Sequence, residues 1–525
     1  MNGPAEDASV RKKRTIRLPC LLLAGLGGIT LVAIIAIGLA ARPLPGPAAI
    51  ATAPPTAAPT APATPPANPL EQQGAALQPR FRAELNGLAQ ASRYTIQASV
   101  DPRTGQVTGQ MSVQYTHRGA QPLTELVFRL LPNAQAIYGG GSLSVANVAQ
   151  NGRSLQTTLA QGRTVLRVPL LQPLQPGQTI TLSLAFRAQV PAGSGQGYGI
   201  FSRSRESLSL AGWYPLLAPY QDGWQTPPVP AVGDAMWAET SLYDVRLIMP
   251  SGYEVVSTGS VVQRQDRAGQ STWHIVSGPA REFALAMSDR FEQQETQVDG
   301  VRLRLYTLPA SAAATAPDEA LKMMAAAFKA YVARFGPYPY TEFDLVEAAV
   351  GIGGYEFSGM VYVDYNRRVY GPFEQYRYLS AHEIAHQWWY NLVGNASVDE
   401  PWLDEALASY AAVLYLQYAG DAQGAARLLE GWKADYGLRR PGDPPVDSSA
   451  LLFSNWMAYR RATYYHGALF LDELRQVIGD ERFFALLQRL QTKYRYRMMT
   501  TDDFLRQAED VADPDLDALW DKWFR

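Results

Sequence analysis

Apolar residues recur at every second position between residues 93 and 290, and at every third or fourth position beyond residue 317. Tyr94, Ile96, Ala98 and Val100 alternate with polar neighbours, as do Val107, Met111, Val113 and Tyr115. Ile180, Leu182, Leu184 and Phe186 alternate with Thr181, Ser183 and Ala185. Successive side chains of a strand point to opposite faces, so this period predicts half-buried antiparallel sheet. Leu321, Met324, Ala325, Phe328, Tyr331, Val332 and Phe335 then fall on one face of a helix, which Gly336-Pro337 stops. A strand-like stretch, Phe343 to Val350, follows, with helical patterns around 375–391, 402–418, 464–477, 481–493 and 501–510. With 525 residues against roughly 100–200 per domain, the chain is expected to be multidomain. The predicted fold is an N-terminal all-β sheet domain over 76–295, then an α+β, mostly helical domain over 296–525.

The N-terminus reads differently. Residues 1–17 form a basic tail containing Arg11, Lys12, Lys13, Arg14 and Arg17. Residues 18–41 carry no charge and would be about 36 Å long as a helix, enough to cross a hydrocarbon core of about 30 Å. Only Arg42 follows the run, so charge bias predicts a single-pass anchor with a cytoplasmic N-terminus and an extracytoplasmic remainder. Ala40-Ala41 leaves a cleaved signal peptide as the competing reading. Residues 42–75 are rich in proline and alanine and are expected to be an extended linker.

The net charge of -2 gives no reason to expect nucleic acid as a partner. Cys20 is the single cysteine, which leaves the rest of the chain without a disulfide or a thiolate metal ligand. Histidines are scarce: His117, His274, His382, His386 and His466.

Two of the five sit in HEIAH at 382–386. Histidines at i and i+4 share one helix face, so both imidazoles can reach one Zn²⁺. Glu383 lies beside the metal, where it can take a proton from water that the metal acidifies. A chance H-E-x-x-H is expected only about two times in a thousand such chains. A catalytic zinc takes three protein ligands and keeps one position open. Glu405, in WLDEALASY at 402–410, is the candidate third ligand. Spacing alone leaves it either a ligand or a solvated surface glutamate, and its place between Leu403 and Leu407 favours an inward side chain.

HEIAHQWW followed by WLDEALASY resembles the aminopeptidase N family of zinc metallopeptidases. The resemblance covers roughly residues 90–525, including YDVRLIMPSGYEVVSTG at 243–259 and GPYPYTEFDLVE at 336–347. It implies a β domain followed by a thermolysin-like catalytic domain, one Zn²⁺ per chain, and Glu405 as third ligand. GGYEF at 353–357 matches the family's substrate-binding G-x-M-E-N strand, which implies substrate contacts for Gly353, Gly354 and Glu356, the last to the free α-amine. Tyr355 and Phe357 depart from that pattern, replacing Met and Asn. TYYHGAL at 463–469 matches Y-x-K-G, which implies that Tyr464 stabilises the transition state, while His466 stands where Lys is usual. The expected protein is thus a membrane-anchored zinc aminopeptidase acting on peptides, with oligomeric state left open. The alternatives are an endopeptidase, a hydrolase of a non-peptide substrate, and a silent peptide-binding module. The intact base and ligands speak against the last.

Overall fold

The computed structural model describes residues 69–193, 197–309, 317–366, 371–513 and 515–525. Residues 65–525 form one compact unit. Its N-terminal half is built on strands β1 (Ser92–Asp101), β2 (Gln106–Thr116), β3 (Ser142–Gln150), β4 (Thr179–Gln189), β5 (Ser241–Pro250), β6 (Ser260–Arg267) and β7 (Gln270–Val276). They pair in the order β6–β7–β5–β1–β2–β4–β3, and the two-residue strand Arg153–Ser154 completes an eight-stranded sheet. Only the β1–β5 pairing is parallel. The alternation read from the sequence is the cause of the layering. Tyr94, Ile96, Ala98 and Val100 are buried, while Gln97 and Ser99 between them are exposed. Two four-stranded sheets supply further residues to the same core, among them Phe128, Val168, Leu210 and Leu285.

A further, five-stranded sheet begins with β8 (Glu292–Val298), which straddles the expected 295/296 boundary and pairs with β9 (Val301–Thr307). Helix α1 (Pro317–Phe335) leads to β10 (Glu342–Ala348), β11 (Gly354–Phe357) and β12 (Met360–Asp364), giving the order β8–β9–β10–β12–β11. β10 is buried along its whole length because the sheet is covered on both faces. Leu303, Leu305, Phe343, Leu345, Val361 and Val363 pack towards the helices. Tyr306, Val346, Phe357, Met360 and Tyr362 join the core of the β half.

The helices that follow are α2 (Phe373–Ala385), α3 (Trp402–Tyr418), α4 (Ala422–Tyr436), α5 (Trp456–Arg460), α6 (Gly467–Ile478), α7 (Asp480–Lys493), α8 (Thr501–Val511) and α9 (Asp517–Phe524). A π-helical turn, Arg461–His466, joins α5 to α6. The helical pattern at 375–391 overran its helix, for α2 stops at Ala385 with His386 as its cap. Trp388 stacks among Phe328, Tyr331, Phe335 and Tyr338, and the chain reaches that cluster through a widened turn. In that turn the Asn391 amide donates to the His386 carbonyl at 2.9 Å, and Tyr390 takes φ 143°.

One expectation is corrected. No helix among the described residues is long and apolar enough to cross a membrane, so a single-pass, membrane-anchored protein is not supported. The most thoroughly buried helix, α3, carries Asp404 and Glu405 and is enclosed by protein rather than matched to lipid. The proposed anchor at 18–41 and most of the 42–75 linker lie outside the described residues.

Candidate metal centre

The last turn of α2 faces the first turn of α3. His382 and His386 stand one helical turn apart on the side of α2 that meets α3, and Glu405 projects from the opening turn of α3. A carboxylate at a helix N-terminus is favoured by the helix dipole. His382 Nε2 is 3.1 Å from Glu405 Oε2 and 3.1 Å from His386 Nε2, and His386 Nε2 is 3.6 Å from the same Glu405 oxygen. A tetrahedral zinc with bonds of about 2.0–2.2 Å sets its ligand atoms about 3.3 Å apart, so this triangle has the right size.

The rest of each imidazole is also committed. His386 Nδ1–H donates to the Trp389 carbonyl at 2.9 Å, and His382 Nδ1 faces the Ser409 hydroxyl at 3.3 Å. These contacts turn both Nε2 lone pairs toward the common point. Tyr331 pins the same turn by donating to the Ala381 carbonyl at 2.8 Å. The donor set, two imidazoles and a carboxylate buried together, fits zinc.

β11 runs beside α2 and forms the second wall. A Cβ on Gly354 would fall 2.2 Å from Glu383 Oε1, so the absence of a side chain there makes room for the Glu383 carboxylate. Glu356, two residues on, projects from the same face of the strand. Gly353 has φ 112° and makes the turn into β11, and the cavity lining comes from Gly351, Ile352 and Gly354 instead. Tyr464 sits in the π-helical turn, a feature frequent at functional sites. Its hydroxyl donates to Glu405, and its ring stacks on His382 at 5.6 Å. His466 is apart from the ligand triangle, its Nε2 3.2 Å from the Gly437 carbonyl.

His382, Glu383, His386, Glu405, Glu356, Gly354 and Tyr464 therefore line one cavity of about 250 Å³. Two charged lining residues escaped the sequence reading. Asp234 comes from the loop before β5, and Arg460 ends α5. No spacing in the sequence links Asp234 or Arg460 to HEIAH. Contacts between segments far apart in sequence leave no periodic trace.

The β half also braces the site from below. Glu282 accepts from the Ser358 amide at 2.6 Å, just past β11, and from the Tyr390 hydroxyl, just past the histidines. Arg281 donates to the carbonyls of Ala238 at 3.2 Å and Arg497 at 3.0 Å, and also to that of Tyr390.

Carboxylates crowd the cavity. Burial first, then the charge on Glu405, holds Glu383 well above the usual carboxylate range. Burial, followed by Asp234, Glu405 and Glu383, does the same to Glu356, and burial followed by Glu405 does so to Asp234. Burial would push Glu405 up as well, but hydrogen bonds with His382 and His386 outweigh it and hold Glu405 down. Tyr464 is kept a phenol by burial and by the Glu405 charge.

Residues 319–523 match the peptidase family M1 domain. Human aminopeptidase N is 30% identical over 146 residues, 26% of this chain and 15% of that protein. Leucine aminopeptidase 2 of Aspergillus fumigatus is 29% identical over 156 residues, 27% of this chain and 25% of that protein. The chain thus spans at most about a quarter of the length of these curated relatives. Among solved structures, a variant of the M1 zinc metallopeptidase from Deinococcus radiodurans superposes with a TM-score of 0.65 at 20% identity, over 83% of this chain and 94% of that one. The same variant bound to a Tyr-Ser-Ala substrate superposes with a TM-score of 0.61 over the same shares. Its two-domain fold is the fold described above. Residues 319–523 thus form a peptidase family M1 domain, similar to that of the aminopeptidase N family of zinc metallopeptidases.

Proposed function

We propose that the protein is a zinc aminopeptidase that removes N-terminal residues from peptides. The observation that carries this reading is the surplus of carboxylate in one cavity. Asp234, Glu356, Glu383 and Glu405 all line it, two acids more than one metal ligand and one base account for. A substrate α-ammonium is the complement, and a buried carboxylate facing it makes a strong charge-assisted contact.

Zinc, held by His382, His386 and Glu405, would supply Lewis acidity and lower the pKa of a water. Glu383 stands next to His382 with its carboxylate against Gly354, where it can take the water's proton and return it to the leaving amine. Tyr464 can turn its hydroxyl from Glu405 to the carbonyl oxygen on which negative charge develops. Glu356 and Asp234 fix the amine, which places the first peptide bond at the reacting centre.

The endopeptidase reading has one observation in its favour. Phe357, where a polar residue would serve the substrate backbone, is buried and packs 4.8 Å from the Tyr362 ring. The deciding experiment compares short peptides with free and N-acetylated termini, in the wild type and in Glu356→Ala. The substitution should weaken free-amine binding by about 2–5 kcal/mol, with part of the loss in kcat, and should hardly change cleavage of acetylated peptides. Equal rates on free and acetylated peptides in the wild type would make endopeptidase the better name.

A further inference from the structure

The charge of the cavity is lopsided. Against its four lining carboxylates, the described lining holds one cation, Arg460. Its guanidinium lies 6.0 Å from the Tyr464 ring centre and 5.4 Å from that of Tyr465, and Nη2 donates to the Tyr465 hydroxyl at 2.5 Å. No carboxylate among the described residues pairs with it. Its neighbour Arg461 is tied to Asp443 at 3.0 Å, and Arg377 on the far side of α2 to Asp421 at 3.0 Å. Arginines held for packing in this part of the molecule have acids; Arg460 has tyrosine faces and solvent.

The His382 ring centre is 5.6 Å from that of Tyr464, so Arg460 stands within about 12 Å of it. That is on the order of three extended residues at about 3.3–3.6 Å each. A guanidinium presents five N–H donors in a fork that matches a carboxylate, and most of that fork is uncommitted here.

We propose that Arg460 receives a carboxylate of the substrate, so that the cavity selects short peptides carrying a negative charge a few residues beyond the hydrolysed bond. The carboxylate is either the C-terminus of a di- or tripeptide or an acidic side chain. The cavity, about 250 Å³ against the roughly 300–1,000 Å³ of ordinary ligand pockets, suits the whole of a very short peptide and favours the C-terminus. This inference rests on the peptidase reading above, and its test is built to fail separately.

Zinc-loaded wild type and Arg460→Ala are assayed on trialanine and its C-terminal amide, and on two amidated tripeptides that differ only by Glu or Gln at the second position. Each peptide is used with a free and an acetylated N-terminus. A hydrogen-bonded charge is worth about tenfold to a hundredfold, so wild-type kcat/KM for trialanine should exceed that for its amide by that factor, mainly through KM. Arg460→Ala should bring the ratio to about one, and Arg460→Lys should restore part of it. A preference confined to the Glu/Gln pair, and lost in Arg460→Ala, supports the proposal with the side chain as source. No preference in either pair, or one that survives Arg460→Ala, overturns it. The acetylated arm reports on the aminopeptidase reading independently. Calorimetric binding of trialanine and its amide to zinc-loaded Glu383→Ala gives the same ratio without turnover. Arg460→Gln replaces Arg460→Ala if the latter does not fold, with zinc content and Tm as the check.

Discussion

At the candidate metal centre, four residues separate by what each substitution should remove. His382, His386 and Glu405 form the ligand triangle, so alanine at any of them should abolish binding of the one zinc expected per chain. Glu383→Ala removes the base but no ligand, and should keep the metal while lowering kcat about 10²–10⁴-fold. Metal analysis of purified variants, run beside an activity assay, checks both. Full zinc occupancy in His382→Ala would sink the ligand assignment. HEIAH offered two candidate ligands and a candidate base because helix geometry ties them together locally. Glu405 was reachable only through a second helix pattern, and resemblance had to settle its role. Asp234 and Arg460 stayed hidden, since single charged residues look the same in a cavity wall as on a solvated surface.

At the scale of elements, the contact between β11 and α2 is the tightest tolerance in the site. Gly354→Ala would thrust a methyl group into the Glu383 carboxylate and displace it while leaving the three ligands in place. Misplacing a reacting group by about 1 Å can cost about 10²-fold, so kcat should fall by at least tenfold with zinc content unchanged. Normal turnover in Gly354→Ala would show that Glu383 acts from another position. The sequence made α1 legible because it presents an apolar face at the helical period, whereas α3 is buried on nearly every side. α2 was overdrawn at its end, where Trp388 and Trp389 continue the apolar pattern but bury themselves by leaving the helix. Helix α4 went unread: its buried residues reduce to Ala425 and Trp432, too few to set a period.

At the scale of the molecule, the two halves share a wall rather than an edge. The β8–β12 sheet gives one face to the helices and the other, through Tyr306, Val346, Phe357, Met360 and Tyr362, to the β core. Residues 296–525 made alone would expose that second face, and should aggregate or lack a cooperative thermal transition. The span 69–525 should unfold cooperatively by calorimetry. A soluble 296–525 fragment binding zinc as tightly as the longer chain would refute this. The period change in the sequence foretold two halves, yet not that the sheet between them is common property, because a run buried on both faces loses its alternation. Glu282 sharpens the point, reaching from the β half to Ser358 and Tyr390, which flank in sequence the helix that carries His382 and His386. Translation makes that carboxylate, and Asp234 with it, well before the histidines. On the peptidase reading, a half-synthesised chain would hold Asp234 and Glu282 before the candidate metal ligands exist, so the centre would stay inactive until both halves have docked.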